Sequence, residues 1–223
     1  MEAFKNLVHM FETSVKSFGP HDLFGTKRND VWTWSSYADV GKKVEDFRSG
    51  LAALGIQRGD NVAIVSDNRE EWAIAAYACS GLGAALVPMY EAQKPDEWAF
   101  IANDCGAVAI IGGSKKVYSI CEKLPSDVPS IKHVIGMDLP ATDAHSFAAV
   151  MKKGAEKPVP SLQPSLEDTA ILIYTSGTTG NPKGVILSHG NIISNINAVQ
   201  TMLPIGKDDR SLSFLPWAHS FGH

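Results

Sequence analysis

Residues 61–90 read NVAIVSDNREEWAIAAYACSGLGAALVPMY. Asn61 to Ser66 is a short, β-rich apolar run. Arg69 to Leu82 has the length and composition of a mostly apolar helix, and the segment AALVPM that follows is a second strand. A helix joining two strands that are nearly all apolar is the repeating unit of a parallel sheet covered on both faces. The uncharged run Ala73 to Tyr90 lies here too. Ser80, Gly81, Gly83 and Pro88 interrupt it, whereas a membrane span needs ~20 apolar residues without such breaks. It therefore reads as a buried helix followed by a buried strand.

The alternation extends in both directions. On the N-terminal side, Tyr37, Val40, Val44, Phe47, Leu51 and Leu54 recur at steps of three and four, which is one face of a helix. Ser36 and Asp39 can cap its start, and Gly55 closes it. On the C-terminal side, Pro95 to Asn103 is helical with proline in the first turn. AVAIIGG is a strand, Ser114 to Lys123 a helix and IKHVIGM a strand. Residues 153–168, KGAEKPVPSLQPSLED, carry three prolines and little periodicity, so they read as a linker or surface loop. TAILIY is then a strand, TSGTTGNPKG a loop and VILS a strand. Residues 189–203 form a helix, and SLSFLP is a last strand. The fold class is α/β, with parallel sheets covered by helices. Residues 1–152 are expected to be a first α/β subdomain and 169–223 the start of a second, as a second sheet or as a sub-domain joined through the Pro-rich segment.

Composition narrows the function. The chain has 223 residues, 44% of them hydrophobic and 20% charged, with a formal net charge of -4. That is an ordinary globular composition. No basic surplus marks a nucleic-acid partner, and no polybasic cluster marks anionic lipid. Cys79, Cys105 and Cys121 are scattered and odd in number. They fit neither a disulfide framework nor a zinc site, and they match a reducing cytoplasm. The segment MEAFKNLVHMFETSVKSFG is too polar for a signal peptide. Peripheral contact with a membrane stays open. Trp32, Trp34, Trp72 and Trp98 read as packing residues.

The most informative segment for chemistry is Tyr174 to Gly184, YTSGTTGNPKG. Glycines permit positive φ and close approach of the backbone to a ligand. Successive N–H groups of such a turn can form an anion-binding nest. The hydroxyls add donors, and Lys183 adds a mobile point charge suited to a polyphosphate. A Walker loop would need Ser or Thr after the lysine, where Gly184 stands. The dinucleotide fingerprint fails at Gly81-Leu82-Gly83, which follows a helix and has Leu86 in the third place. A plain Gly/Thr turn between two strands is the alternative, although an ordinary hairpin needs far fewer residues.

TSGTTGNPKG resembles, almost residue for residue, the signature loop of the adenylate-forming superfamily of acyl- and aryl-CoA ligases, luciferases and adenylation domains. YADVGKKVEDFRSGLAALGIQRGDNVAIVSDNREEW resembles the first helix, strand and second helix of that family, and LPWAHSFGH its next motif. The resemblance implies that a carboxylate attacks the α-phosphate of ATP-Mg to give acyl-adenylate and pyrophosphate. A thiol, usually that of coenzyme A, then displaces AMP. By similarity, Thr175, Ser176, Gly177, Thr178, Thr179, Gly180 and Lys183 would hold the β- and γ-phosphates, and Thr175 would help ligate Mg²⁺. His219 would line the acyl–nucleotide junction without doing acid–base work. Trp217 and Phe221 would either shape the acyl pocket or simply pack, and His223 falls where related ligases carry a pocket aromatic.

LVPMYEAQKPDEWAFIANDCGA and the AHSFG form look most like long-chain fatty-acyl ligases. In the family, the adenine and ribose contacts, the hinge and the lid lysine follow this region. The chain is thus expected to be a catalytically incomplete N-terminal part of a ligase whose substrates are fatty acid, ATP and coenzyme A. Two other readings remain at this point: an adenylating enzyme that feeds a carrier protein, and a non-catalytic remnant that acts as a binding module.

Overall fold

A computed structural model describes residues 3–175, 182–203, 206 and 208–219. Helix α1 (Leu7–Phe18) starts at Asn6, whose side chain accepts from the His9 amide. A hairpin of β1 (Asp22–Arg28) and β2 (Val31–Ser36) follows. It turns through Asn29 and Asp30, at φ 49° and 61°, the two left-handed residues that match the twist of a tight hairpin. Ser36 ends β2 and opens α2 (Tyr37–Ala53) with a complete capping box, donating and accepting against Asp39.

The core then assembles in strand–helix steps: β3 (Asn61–Val65), α3 (Glu70–Leu82), β4 (Ala85–Met89), α4 (Pro95–Asp104), β5 (Ala109–Gly112), α5 (Lys115–Cys121), β6 (His133–Gly136) and α6 (Phe147–Glu156). After residues 157–168 come β7 (Thr169–Thr175), β8 (Lys183–Ser188) and α7 (His189–Met202). Among the described residues the long sheet has six strands in the order β6-β5-β3-β4-β7-β8. All neighbours are parallel except β7 and β8, which are antiparallel.

Although the central strands are apolar throughout, their side chains still alternate. Val62, Ile64, Leu86, Ala109 and Ile111 face α2, α3 and α6, where Phe47 stacks on Phe147 at 3.8 Å between ring centroids. Ala63, Val65, Val87, Met89 and Ile110 face α4 and α5, meeting Trp98, Ile101, Val117 and Cys121. Trp72 and Trp98 are buried. Trp32 and Trp34 stack on each other on the exposed hairpin.

Three expectations are corrected. TAILIY and VILS do not start a second sheet: β7 hydrogen-bonds beside β4 in the same six-stranded sheet, through the pair Leu86 and Ile171. The unpatterned stretch 153–168 begins inside α6. Its remainder is tied down: Arg48 Nε and Nη2 donate to the Val159 carbonyl, Ser49 Oγ accepts from the Val159 amide, and the Leu162 amide donates to the Gly81 carbonyl. SLSFLP forms no strand; its Ser213 and Leu215 carbonyls accept from a side chain instead. No described helix is long and apolar enough to cross a membrane.

Candidate active site

In an open α/β sheet, ligands bind beyond the carboxyl ends of the strands, where successive connections leave for opposite faces. Here the β3 connection packs α3 on one face, while the β4 and β5 connections pack α4 and α5 on the other. The sequence-predicted residues that are described lie on this same edge of the sheet.

Thr175 ends β7 and Lys183 begins β8, and the two are paired across the antiparallel ladder. Both are exposed. Ser176, Gly177, Thr178, Thr179 and Gly180 lie between them and outside the described residues. The rung below pairs Tyr174 with Gly184. The Tyr174 ring lies on Gly184, where a Cβ would come 3.0 Å from Cζ. The Tyr174 hydroxyl donates to Asp104 at the end of α4, 2.5 Å away. Burial, then this carboxylate, pushes the phenol well above its ordinary range. The base of the loop is thus fastened to α4 while its two ends stand in solvent.

Trp217 and His219 lie on a turn closed by the His219 amide donating to the Pro216 carbonyl at 3.0 Å. The Trp217 indole packs edge-on against Trp72 and tilted against Phe24, at 5.4 and 5.9 Å, and its Nε1 donates to Ser213 Oγ. Ala218 is buried and His219 exposed. Phe221 and His223 lie outside the described residues.

A crevice of about 380 Å³ opens between this segment and the ends of β3 and β4. Asn68, Tyr90, Glu91, Phe214 and Pro216 are among its walls. Glu91 Oε1 accepts from the Asp67 amide. Burial, then the nearby Asp67 charge, raises the Glu91 carboxyl above the usual carboxylate range. Gly113 at the end of β5 leaves room for this: a Cβ there would fall 2.6 Å from Ser66 Oγ and 2.9 Å from Glu91 Oε1. A larger groove of about 630 Å³ between α1, α2 and α3 shares no lining residue with this edge, and none of the sequence-predicted site residues lines it.

Sequence reading missed Asn68, Glu91 and the Tyr174–Asp104 bond. The general rule for strand ends would have drawn attention to the first two. The third joins two elements whose pairing no local pattern encodes.

The fold defines a doubly wound α/β domain, with Thr175 and Lys183 paired at the carboxyl edge of its sheet. The chain belongs to the AMP-binding enzyme family, whose sequence profile matches residues 11–223. It is 32% identical over 227 residues to long chain acyl-CoA synthetase 6, peroxisomal, of Arabidopsis thaliana, covering 95% of this chain and 32% of that protein. It is 34% identical over 194 residues to a long-chain-fatty-acid–CoA ligase of Mycobacterium tuberculosis, covering 85% of this chain and 32% of the relative. The chain therefore spans about one third of the length of these relatives. Among solved structures, a long-chain-fatty-acid-CoA ligase from Archaeoglobus fulgidus superposes with a TM-score of 0.84 at 22% identity, over 100% of this chain and 44% of that one. The anthranilate CoA ligase in complex with anthranoyl-AMP gives 0.73 at 23% identity, over 85% and 36%. At these identities the two structures speak for the fold.

Proposed function

We propose that this chain supplies the phosphate loop and the acyl side of the active site in an acid–thiol ligase that activates long-chain fatty acids with ATP. The observation that carries the reading is the facing pair Thr175 and Lys183. It brackets the loop at the carboxyl edge of a parallel sheet inside a chain of the AMP-binding family. Long-chain acids are favoured by what the relatives are named for, and an acyl-AMP intermediate by the ligand of one structural neighbour.

In this reading the fatty-acid carboxylate attacks the α-phosphorus of ATP, pyrophosphate leaves, and coenzyme A sulfur then displaces AMP. What the chain contributes is electrostatic. Lys183 and the loop donors would meet the charge that grows on the departing pyrophosphate. Thr175 offers one hard hydroxyl oxygen to Mg²⁺, and no cluster of three or more acidic, His or Cys side chains is present among the described residues to hold a metal. The ion would enter with ATP as ATP-Mg, and Thr175 would help hold it there. His219 and Trp217 would border the acyl chain where it meets the nucleotide. The nucleoside contacts and lid lysine would come from the rest of the polypeptide. The three free cysteines support a reducing, cytoplasmic setting.

The test is ATP–pyrophosphate exchange by the full-length polypeptide with fatty, aryl and amino acids. Exchange that depends on long-chain acids is expected. Exchange driven only by amino acids or aryl acids would overturn the substrate assignment.

A further inference from the structure

Asn68 stands just past the carboxyl end of β3 and carries one side chain of the crevice. Its Nδ2 donates to the Leu215 carbonyl at 2.7 Å and to the Ser213 carbonyl at 3.3 Å, and its Oδ1 accepts from the Trp217 amide at 2.7 Å. An amide side chain has two N–H donors and a carbonyl acceptor. Here both ends of that amide are engaged with one short segment. The bonded groups fall on alternate residues, 213, 215 and 217, as they would along an extended strand facing a neighbouring ladder. Asn68 thus replaces the strand partner that residues 211–216 lack.

The consequence falls on His219. The Trp217 amide held by Asn68 lies within the turn that runs from Pro216 to His219, and that turn is closed by the His219 amide. Behind it, Trp217 rests on Trp72 and Phe24, and Ala218 is buried. The turn therefore has an apolar anchor and a polar one. The apolar anchor sets how deeply Trp217 sits. The polar anchor fixes the backbone where the extended segment becomes a turn, and so sets where His219 emerges.

We propose that Asn68 is a positioning residue for the acyl side of the active site: it holds residues 213–217 against the end of β3 and thereby sets the placement of His219. The positioning role rests on the fatty-acid ligase reading, whereas the hold on the segment does not.

The experiment has two arms, both in the full-length polypeptide. The first is residue-resolved hydrogen exchange in the wild type, Asn68→Ala and Asn68→Asp. The Trp217 amide should exchange about tenfold faster in Asn68→Ala, the factor expected when one hydrogen bond is lost. It should stay protected in Asn68→Asp, where a carboxylate oxygen still accepts. Amides of β3 and β4 should be unchanged in both variants. Wild-type protection of Trp217 in Asn68→Ala would overturn the hold. If Asn68→Ala does not fold, Asn68→Leu, similar in volume but unable to accept, tests it instead: wild-type protection of the Trp217 amide in that variant would overturn the hold.

The second arm is pyrophosphate exchange. In Asn68→Ala the KM for fatty acid should rise about tenfold while the KM for ATP stays the same, because only the acyl side loses its support; Asn68→Asp, which keeps the acceptor for the Trp217 amide, should stay close to the wild type. Equal rises in both constants in Asn68→Ala, or none, would overturn the positioning role. A wild-type protein that exchanges with no fatty acid would overturn the ligase reading and the acyl role together, while the first arm would still decide whether Asn68 holds the segment.

Discussion

Thr175 and Lys183 are cross-strand partners at the open end of the β7–β8 ladder. The backbone pairing joins the two strands there, and both side chains are exposed. Lys183→Ala should therefore lower adenylate formation without disturbing the fold. The expected loss is roughly 1–3 kcal/mol of transition-state stabilisation, the scale of a charged hydrogen bond, or about ten- to a hundredfold in rate. Thioester formation from preformed acyl-AMP should be largely spared, since no pyrophosphate leaves in that step. Separate assays of the half-reactions decide the matter. Equal damage to both would assign Lys183 to loop structure instead.

A second prediction concerns the crossing of α2 and α6. A Cβ on Gly154 would lie 1.9 Å from the Asp46 carbonyl oxygen and 2.3 Å from the Gly50 nitrogen, and a Cβ on Gly50 would lie 2.1 Å from the Val150 carbonyl oxygen. The two helices touch backbone to backbone. Gly154→Ala must push them apart and loosen the Phe47–Phe147 stack. It should cost about 3 kcal/mol, read as a lower denaturant midpoint with an unchanged slope.

His189 gives the chain a pH-dependent component of stability. It is fully buried at the start of α7, and its Nδ1 accepts from the Leu7 amide of α1. Burial lowers its pKa from the ordinary 6.5, against a smaller opposing effect of Asp168. Because the unfolded chain takes up this proton more readily, the stability is fully present above pH 6.5 and is lost as pH falls below it. Protonation of Nδ1 would also remove the acceptor for Leu7. Chemical denaturation between pH 7.5 and 5 should show a shallower loss for His189→Gln than for the wild type. Parallel slopes would contradict this assignment.

The thiols should differ sharply in reactivity. Cys79 and Cys121 are buried, and burial pushes both up to about 12; Cys105 is half-buried and is pushed up to about 11. The thiolate is the reactive form. A maleimide should therefore label Cys105 slowly and first, with the other two reacting only on denaturation. Mass spectrometry of the native, labelled chain is the check, and early labelling of Cys79 would contradict the packing of α3.

Local features of the fold were legible in the sequence. The Ser36–Asp39 box, the helical spacing of α2 and the apolar runs of β3 to β6 each depend on neighbours a few residues away. The family resemblance was legible for the same reason, since TSGTTGNPKG is written in consecutive residues. What failed was non-local. Nothing within TAILIY says that its neighbour is β4, so a shared sheet was read as a second sheet or sub-domain. Helix α6 is short, its second half reads KKGAE, and its apolar residues pack on a helix far back in the chain. The SLSFLP segment has strand composition, yet its Ser213 and Leu215 carbonyls are met by the side chain of Asn68. The hairpin did carry a local signal, Asn29-Asp30 between alternating residues, that went unread.

The strand order has a consequence for how the polypeptide reaches its native state. Strands β3 to β6 adjoin or nearly adjoin their sequence neighbours, and together with α2 to α5 they carry both faces of a core before β7 exists. The later hairpin must then find the vacant side of β4, closing a long loop against conformational entropy. During synthesis from the ribosome the earlier strands can collapse while β7 is still being made, leaving the β4 edge unpaired for that interval. Open strand edges invite pairing with other chains. The interval between the emergence of β4 and the docking of β7 is thus when this protein is most exposed to misassembly, and when a chaperone that shields strand edges would help it most.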